Sequence, residues 1–433
     1  MKTLRYVGGI PTPIYLLAVG AFAIGTEGFM ISPLLPGLAS DLGVTIEQAG
    51  QLVTAFALAY GVSSPLLTAA TGGLNRRTLL LSSVGIFALS NLLAFVAPNY
   101  GWLMAARVLL ALSAGVFVPG ANALAGAIVE PARRGRAIAV VNSGITIALA
   151  LGVPLGSMIG QHAGWRMTFA GVAVLAAIAA AGILAGVPRA IGDGIPTATL
   201  RERLAVAARP AVLATLAATT LWATGAYTVY TYMSALVTHL TGLHEARISV
   251  VMFVWGISAG IGVFFGGGLS DRLGPPLVIV PSVAIIGLAF VSLSFYAHLS
   301  PVQAFWPTLV ALMVWAFCHW GFYPAQQARL IQLAGVNVAS IVLSLNASFM
   351  YIGFSVGAGI GGLTIAHRTI ADLGVVAALF EFASVALTLA VLARGRLQAS
   401  GSAAWRGQRT RRAPTCEGPR GHTYPAREGL RDR

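Results

Sequence analysis

Residues 14–36 read IYLLAVGAFAIGTEGFMISPLLP, with one charged side chain, Glu27, in the whole run. A helix needs about 20 apolar residues to cross the hydrocarbon core of a bilayer, so this stretch is long enough. Met1, Lys2 and Arg5 ahead of it imitate the start of a secretory leader. The apolar run is too long for a leader core, however, and no clear cleavage signal closes it. We take it as an uncleaved first span.

The rest of the chain repeats the pattern. Hydrophobic residues make up 57% of 433 positions and charged residues 9%, against about a quarter charged in soluble domains. Such a chain cannot cover a water-facing surface and needs lipid as its solvent. Apolar runs at 48–69, 78–97, 101–128, 137–161, 166–187, 210–238, 247–268, 276–297, 302–328, 337–366 and 371–393 complete twelve expected spans. The expected fold is an all-α membrane protein.

Charge tests this map. With both ends cytoplasmic, the inner segments hold Lys2, Arg5, Arg76, Arg77, Arg133, Arg134, Arg136, Arg189, Arg201, Arg203, Arg209, Arg272 and Arg329. The outer loops hold Arg166, Arg247 and Arg368. That bias follows the positive-inside rule, and an odd number of spans would scramble it. The net charge of +14 is therefore no sign of nucleic acid. Half of it lies between Arg394 and Arg433, where ten arginines face Glu417, Glu428 and Asp432. Attraction to anionic lipid is the one physical account of that tail. The cysteines, Cys318 in an apolar run and Cys416 in the tail, give neither a disulfide framework nor a metal spacing.

The longest internal polar stretch, Arg189 to Arg209, divides six spans from six. The expected organisation is an N-terminal bundle (1–188), a cytoplasmic linker (189–209), a C-terminal bundle (210–398) and a disordered basic tail (399–433). Internal repetition supports two halves. Gly144, Gly152, Gly156 and Gly160 in the fifth span correspond to Gly353, Gly357 and Gly361 in the eleventh. The loop Thr71–Arg77 corresponds to Gly267–Gly274, both at an offset near 200 residues.

Several stretches carry a resemblance. They are Gly25-Thr26-Glu27-Gly28-Phe29 through Pro36, Asp41-Leu42-Gly43-Val44, Arg107 with Gly115, Leu151-Gly152-Val153-Pro154-Leu155-Gly156 through Gly164-Trp165-Arg166, Pro324–Leu330 and Ser344–Ser348. The chain resembles the major facilitator superfamily, in its twelve-span drug:proton antiporter type, near the arabinose-efflux-like and chloramphenicol-efflux-like bacterial permeases. The resemblance covers roughly residues 14–393. It implies two six-helix bundles around a central cavity, alternating access, and a bacterial inner-membrane location.

Within that frame, Glu27 is the most informative acid, because an ionised carboxylate in mid-span is expensive. Desolvation favours its acid form and a nearby cation its ionised form, so a carboxyl poised between the two can take and release protons. Arg107 is its candidate partner. The pair is expected to bind protons or a cationic substrate; the alternative is a hydrogen-bonded structural pair. Glu381, in the last span, is as well explained by a structural role.

Trp222, Tyr227 and Tyr230 in the seventh span and Trp315, His319 and Tyr323 in the tenth are candidate cavity walls, in spans that line the cavity of the resembled fold. Aromatic walls suit bulky, partly apolar or sugar-like ligands, but the same residues serve equally well as core. The four-residue spacing of Gly152, Gly156 and Gly160 lets another helix approach closely, and Pro154 is expected to bend the span. In the resembled family this region, including Gly144, packs the two halves together. Asp271 and Arg272 fit the family's inner-loop gating motif. Its first-half copy departs from the pattern, with Gly72 at the acid position and Arg76 and Arg77 left without that partner.

No GxxxxGK[ST] phosphate loop, HExxH or GxSxG occurs, so neither ATP coupling within the chain nor a soluble enzyme chemistry is expected. A membrane-embedded enzyme would need a clustered catalytic set, and a channel would not need two repeats with an ion-pair candidate. The expectation is a monomeric, proton-coupled exporter of small organic molecules such as amphenicols. The alternatives are a sugar, polyol or nucleoside efflux permease, or a non-coupled facilitator. No metal or organic cofactor is expected, with the proton as coupling ion, and the expected partners are substrate and lipid.

Overall fold

The computed structural model describes residues 6–7, 9–188, 198–243 and 245–411. Residues up to Leu389 form one compact unit, and Ala390–Arg433 form a second. A short antiparallel hairpin, β1 (Tyr6–Val7) with β2 (Ile10–Pro11), comes first. Helices α1 (Thr12–Leu42), α2 (Ile46–Ala70), α3 (Arg76–Phe95), α4 (Tyr100–Ala127), α5 (Arg134–Ile147), α6 (Val153–Ala163) and α7 (Trp165–Gly186) make the first half. Helix α8 (Leu200–Ala207) follows in the linker. The second half is α9 (Pro210–Tyr230), α10 (Met233–Thr241), α11 (Glu245–Leu273), α12 (Pro276–Tyr296), α13 (Pro301–Ala334), α14 (Ala339–His367) and α15 (Leu373–Arg411). Among the described residues, twelve segments are long and apolar enough to cross a membrane, as expected.

Lipid supplies no hydrogen bonds, so each span satisfies its backbone internally as a helix. The outward faces are apolar, and Phe264 is 79% exposed where soluble proteins would place polar groups. The loops alternate between an arginine-rich end (Arg76, Arg77, Arg133, Arg134, Arg136, Arg203, Arg209 and Arg272) and an arginine-poor end (Arg166, Arg247 and Arg368). Each end is tied by side chains. At the rich end Arg77 donates to the carbonyls of Val187 (2.6 Å) and Leu184 (2.8 Å), covering the last turn of α7. At the poor end Asp41 accepts hydrogen bonds from Trp165 Nε1 (2.9 Å) and from Arg166, and Arg166 also donates to the Ala97 carbonyl (3.0 Å). Gly43, at φ 63°, closes α1 in the left-handed conformation that glycine adopts freely.

Two spans differ from the expectation. The fifth span is not one α-helix, because Ala148–Gly152 form a π-helical turn between α5 and α6. Pro154, in the first turn of α6, has no N–H to continue an α-helical ladder there. The seventh span, expected as one helix over 210–238, ends at Tyr230 and restarts at Met233. Hydroxyls of Thr215, Thr219, Thr220, Thr224, Thr228 and Thr231 each donate to the carbonyl four residues back. Such bonds compete with the helix's own ladder, and the last of them falls at the break.

The linker, expected as a loop, contains α8, capped by a reciprocal Thr199–Glu202 box. Bonds from the Thr199 amide (2.7 Å) and hydroxyl (2.9 Å) hold the Glu202 carboxyl below its ordinary range. Residues 189–197 of that linker lie outside the described residues. Helix α15 continues to Arg411, beyond the expected start of disorder at 399, through Ala, Arg and Gln, which are good helix formers. The remainder of the expected tail, 412–433, lies outside the described residues.

The glycine ladders explain how close the helices come. A β-carbon at Gly144 would overlap the Ala18 carbonyl, one at Gly152 the Thr26 side chain, and one at Gly160 the Leu34 side chain. At Gly156 it would stand 3.4 Å from the Met30 β-carbon. All four partners lie on α1, inside the same half. The equivalent residues Gly353, Gly357 and Gly361 of α14 press in the same way on α9, at Thr220, Thr224 and Thr228. The fifth-span glycines themselves therefore face α1. The second half is met by the backbone of the π turn, where Gly256 of α11 abuts Leu149 and Ala150, and by a Ser157–Ser249 hydrogen bond of 2.9 Å.

Gly144→Val should place a branched side chain against the Ala18 carbonyl and cost about 1–3 kcal/mol by overpacking. Gly171→Ala, where an added β-carbon meets open space, should leave stability unchanged. Thermal unfolding of the purified protein in detergent reads both.

Candidate functional site

Glu27 and Arg107 are each 0% exposed and form an ion pair between α1 and α4. Local packing places them. Bare backbone at Gly25 lets α1 close on the fifth span, where a β-carbon would come within 2.9 Å of Ala148. Arg107 then has three neighbours. Its Nη1 donates to Glu27, its Nε donates to the Leu52 carbonyl (3.3 Å), and its guanidinium carbon lies 4.2 Å from the centre of the Phe56 ring, a cation–π arrangement. The pair is not fully spent. Glu27 Oε2, Arg107 Nη2 and the neighbouring Thr26 Oγ1 have no protein hydrogen-bond partner. Buried polar atoms are nearly always partnered, so the open Oε2 and Nη2 leave the pair with unused hydrogen-bonding capacity, while the Thr26 side chain lies against Gly152 of the fifth span.

The walls around the pair come from both halves. Tyr60 of α2 stacks on Tyr351 of α14 at 3.8 Å, and Tyr227 of α9 stacks on Phe354 at 3.6 Å. Tyr227 and Tyr351 both belong to the electrostatic surroundings of Arg107. Phe29 of α1 meets Tyr230 and Trp320 edge-on at 6.2 and 5.9 Å. The Tyr230 hydroxyl donates to the Phe29 carbonyl (3.0 Å), Ser32 donates to the Tyr230 carbonyl, and Ser355 donates to the Thr54 carbonyl (2.9 Å). These bonds join the halves from the level of the pair toward the arginine-poor end. Nearer that end, the Tyr232 hydroxyl donates to the Ala358 carbonyl (3.0 Å) and fills the space left by Gly50 and Gly362.

The aromatic candidates divide. Tyr227 and Tyr230 reach the seam between the halves, and Tyr323 is partly exposed. Trp222, Trp315 and His319 are packed in the core of the second half, with His319 stacked on Trp222 at 4.1 Å. Phe56, Tyr60, Tyr351 and Phe354 were not singled out from sequence. The available signal was a phenol in the middle of an apolar helix, twice.

At the gating loops, Asp271 and Arg272 are exposed and join no ion pair among the described residues. Arg76 is 1% exposed, and none of its three guanidinium nitrogens has a hydrogen-bond partner. That is the physical counterpart of Gly72 standing where an acid is expected.

A twelve-span, two-half helical body with a buried acid–arginine pair at its seam has clear relatives. Residues 17–401 match the model of the Major Facilitator Superfamily. The chain belongs to that superfamily. It is a multi-pass membrane transporter and not an enzyme. It is 35% identical over 378 residues to the uncharacterized MFS-type transporter YbcL of Bacillus subtilis, covering 87% of this chain and 95% of that one. It is 29% identical to the inner membrane transport protein YdhP of Escherichia coli K12, over 82% of this chain and 88% of that one. It is 38% identical over 265 residues to a chloramphenicol resistance protein of Streptomyces lividans, covering 61% of this chain and 68% of that one. The crystal structure of a bacterial homologue of the human lysosomal transporter Spinster, inward-facing and unoccupied, shares the fold. Its TM-score is 0.68 at 16% identity, over 88% of this chain and 96% of that one.

Removing one partner of a buried ion pair leaves an uncompensated charge and costs about 3–5 kcal/mol, whereas replacing both is far milder. Glu27→Gln should lower the unfolding temperature in detergent, and Glu27→Gln with Arg107→Met should recover much of the loss. Equal loss in the single and double variants would show that the two side chains are not coupled.

Proposed function

We propose that this transporter exports a small, partly aromatic organic molecule of the amphenicol class in exchange for protons. It does so by alternating access, with both termini cytoplasmic. The observation that carries the reading is the sealed Glu27–Arg107 pair with its orphaned Oε2 and Nη2, framed by stacked aromatic rings from both halves. Aromatic faces suit a nitrophenyl-type ring, and the orphaned polar atoms suit the hydroxyls and amide of such a molecule. The similarity to a chloramphenicol resistance protein supports the same class.

Coupling follows from charge. While the pair is closed, each ion balances the other. A proton on Glu27 cancels its charge and takes away the carboxylate acceptor to which a hydroxyl or amide N–H of the substrate would donate. Substrate and proton then compete for one site, which is the requirement for exchange. The hydrogen bonds between the halves lie toward the arginine-poor end, and the positive-inside rule makes that end the outer one. The state is then closed to the outside, and the unpaired Asp271 and Arg272 fit a gating motif that latches the opposite state.

A sugar or nucleoside would draw on polar atoms of the second half, and most of those on Gln326, Thr219 and Asn346 are bonded within the protein. Gln326 donates to the Thr215 carbonyl and the Thr219 hydroxyl (3.0 Å each), and Thr219 donates to Asn346 (2.8 Å). Asn346 Nδ2 is the atom of this set left without a protein partner.

In vesicles holding the purified protein, chloramphenicol should drive proton movement that saturates with concentration, and Glu27→Gln should abolish that movement. Chloramphenicol flux with no accompanying proton movement would leave a facilitator and return Glu27 to a substrate-binding or structural role. A panel of cationic dyes, sugars and nucleosides alongside tests the substrate class.

A further inference from the structure

Glu381 lies in the membrane-spanning part of α15 and is 0% exposed. Neither of its carboxyl oxygens has a protein hydrogen-bond partner. No cation balances it, since the ion pairs among the described residues are Glu27–Arg107 and Asp41–Arg166. The carboxyl rests on α9 at Gly225, the one glycine of that helix. A β-carbon there would stand 2.8 Å from Glu381 Oε1 and 2.8 Å from the Ala377 carbonyl. One turn on, Ser384 is also fully buried and donates to the Ala218 carbonyl (2.9 Å). Helix α15 therefore shows α9 a polar face within an otherwise apolar segment, and α9 offers bare backbone where the carboxyl sits.

Nothing around it neutralises the group. At this contact α9 presents Gly225, and its tyrosines Tyr227 and Tyr230 turn to Phe354 and Phe29. Helix α12 contains no acid, histidine, lysine or arginine. His319 of α13 is stacked on Trp222. A carboxylate stripped of water with no counter-charge costs several kcal/mol or more. Glu381 must hold a proton here or gain a partner elsewhere in the cycle.

We propose that Glu381 is a second proton-binding site of this transporter, loaded in the state described here and unloaded when α9 moves against α15. Binding forms one O–H bond on the carboxylate and cancels one negative charge, and no other group changes. The proton is taken from, and returned to, the aqueous phases. Helix α9 is placed to control the exchange. It carries Gly225 on one side, it bonds to α1 through Tyr230 and Ser32 on the other, and it is broken from α10 at Thr231–Tyr232. A shift of the halves at the seam therefore changes the wall of the Glu381 site. The inference rests on the proton-coupled reading above and adds a site to it, in the opposite half from Glu27.

The test is infrared spectroscopy of the full-length protein in lipid nanodiscs across a pH series, with and without chloramphenicol. Wild type, Glu381→Gln and Glu27→Gln are compared. The expected result is a carbonyl stretch of a protonated carboxyl without hydrogen bonds, present in wild type and Glu27→Gln and lost in Glu381→Gln. It should fade reversibly as pH rises. Gly225→Ala, which keeps Glu381 but sets a methyl group against Oε1, should shift the band and guards against a Glu381→Gln variant that fails to fold. The proposal is overturned if the band is absent, or if it neither titrates nor responds to chloramphenicol at any pH, which is the behaviour of a fixed structural acid. Loss of chloramphenicol-driven proton movement in Glu27→Gln alongside an inert Glu381 band sinks this inference and leaves the exchange reading standing. A titrating band with no chloramphenicol-driven proton movement in any form does the reverse.

Discussion

A bilayer offers no hydrogen bonds, and every other feature of this transporter answers to that constraint. The spans are helical because only a helix satisfies its own backbone in lipid. Their outward faces are apolar because nothing else is tolerated there. Helix association cannot draw on a hydrophobic effect that lipid already supplies, so it depends on contact. Here contact comes from glycine ladders that bring α1 against the fifth span and α9 against α14. Where a polar group enters the interior, it must be balanced by another. Thr219, Gln326 and Asn346 bond to one another, with Asn346 Nδ2 left over. Glu27 and Arg107 balance in charge but not in hydrogen bonds. Glu381 is not balanced at all. That ordering runs from structural through functional to unexplained, and it guides the assignment of roles better than residue type does.

The two halves handle this constraint in the same way. Each presses its first span on its fifth through small residues. Both helices of each pair also reach the seam. The first half places its charge pair there, and the second places tyrosines there. This division fits a machine in which one bundle carries the charge and the other supplies a deformable aromatic wall.

Much of this was legible in the sequence. Hydrophobic length sets the number of spans, and the arginine bias sets their alternation. Glu27 stood out because it is the lone charge in residues 14–36, and Arg107 because it is the lone cation inside a span. What was not legible depends on three-dimensional register. Nothing in the text of the fifth span says that its glycines turn toward α1 rather than toward the other half. The break after Tyr230 arises from hydroxyl-to-carbonyl bonds that a threonine-rich apolar run does not advertise. Tyr60 and Tyr351 lie nearly three hundred positions apart and acquire meaning only once α2 and α14 pack together. Trp222, Trp315 and His319 show the converse, since a crowd of aromatic residues reads equally well as wall or as core.

The π turn at Ala148–Gly152 has a consequence for sequence change in the fifth span. At about 100° per residue, Gly144 and Gly152 would sit roughly 80° apart on an ideal α-helix. The wide turn absorbs about one residue's rotation, and this brings both onto the same side. In effect it is a one-residue insertion preserved in the fold. Deleting a single residue from 148–151 would remove the wide turn with it, and the seven-residue spacing left, about 700° of rotation, would hold Gly144 within roughly 20° of Gly152. Gly144 would stay on α1, and Arg134 and Arg136 would keep their facing. Relatives that lack this turn would hold the same facing with one residue fewer between the two glycines.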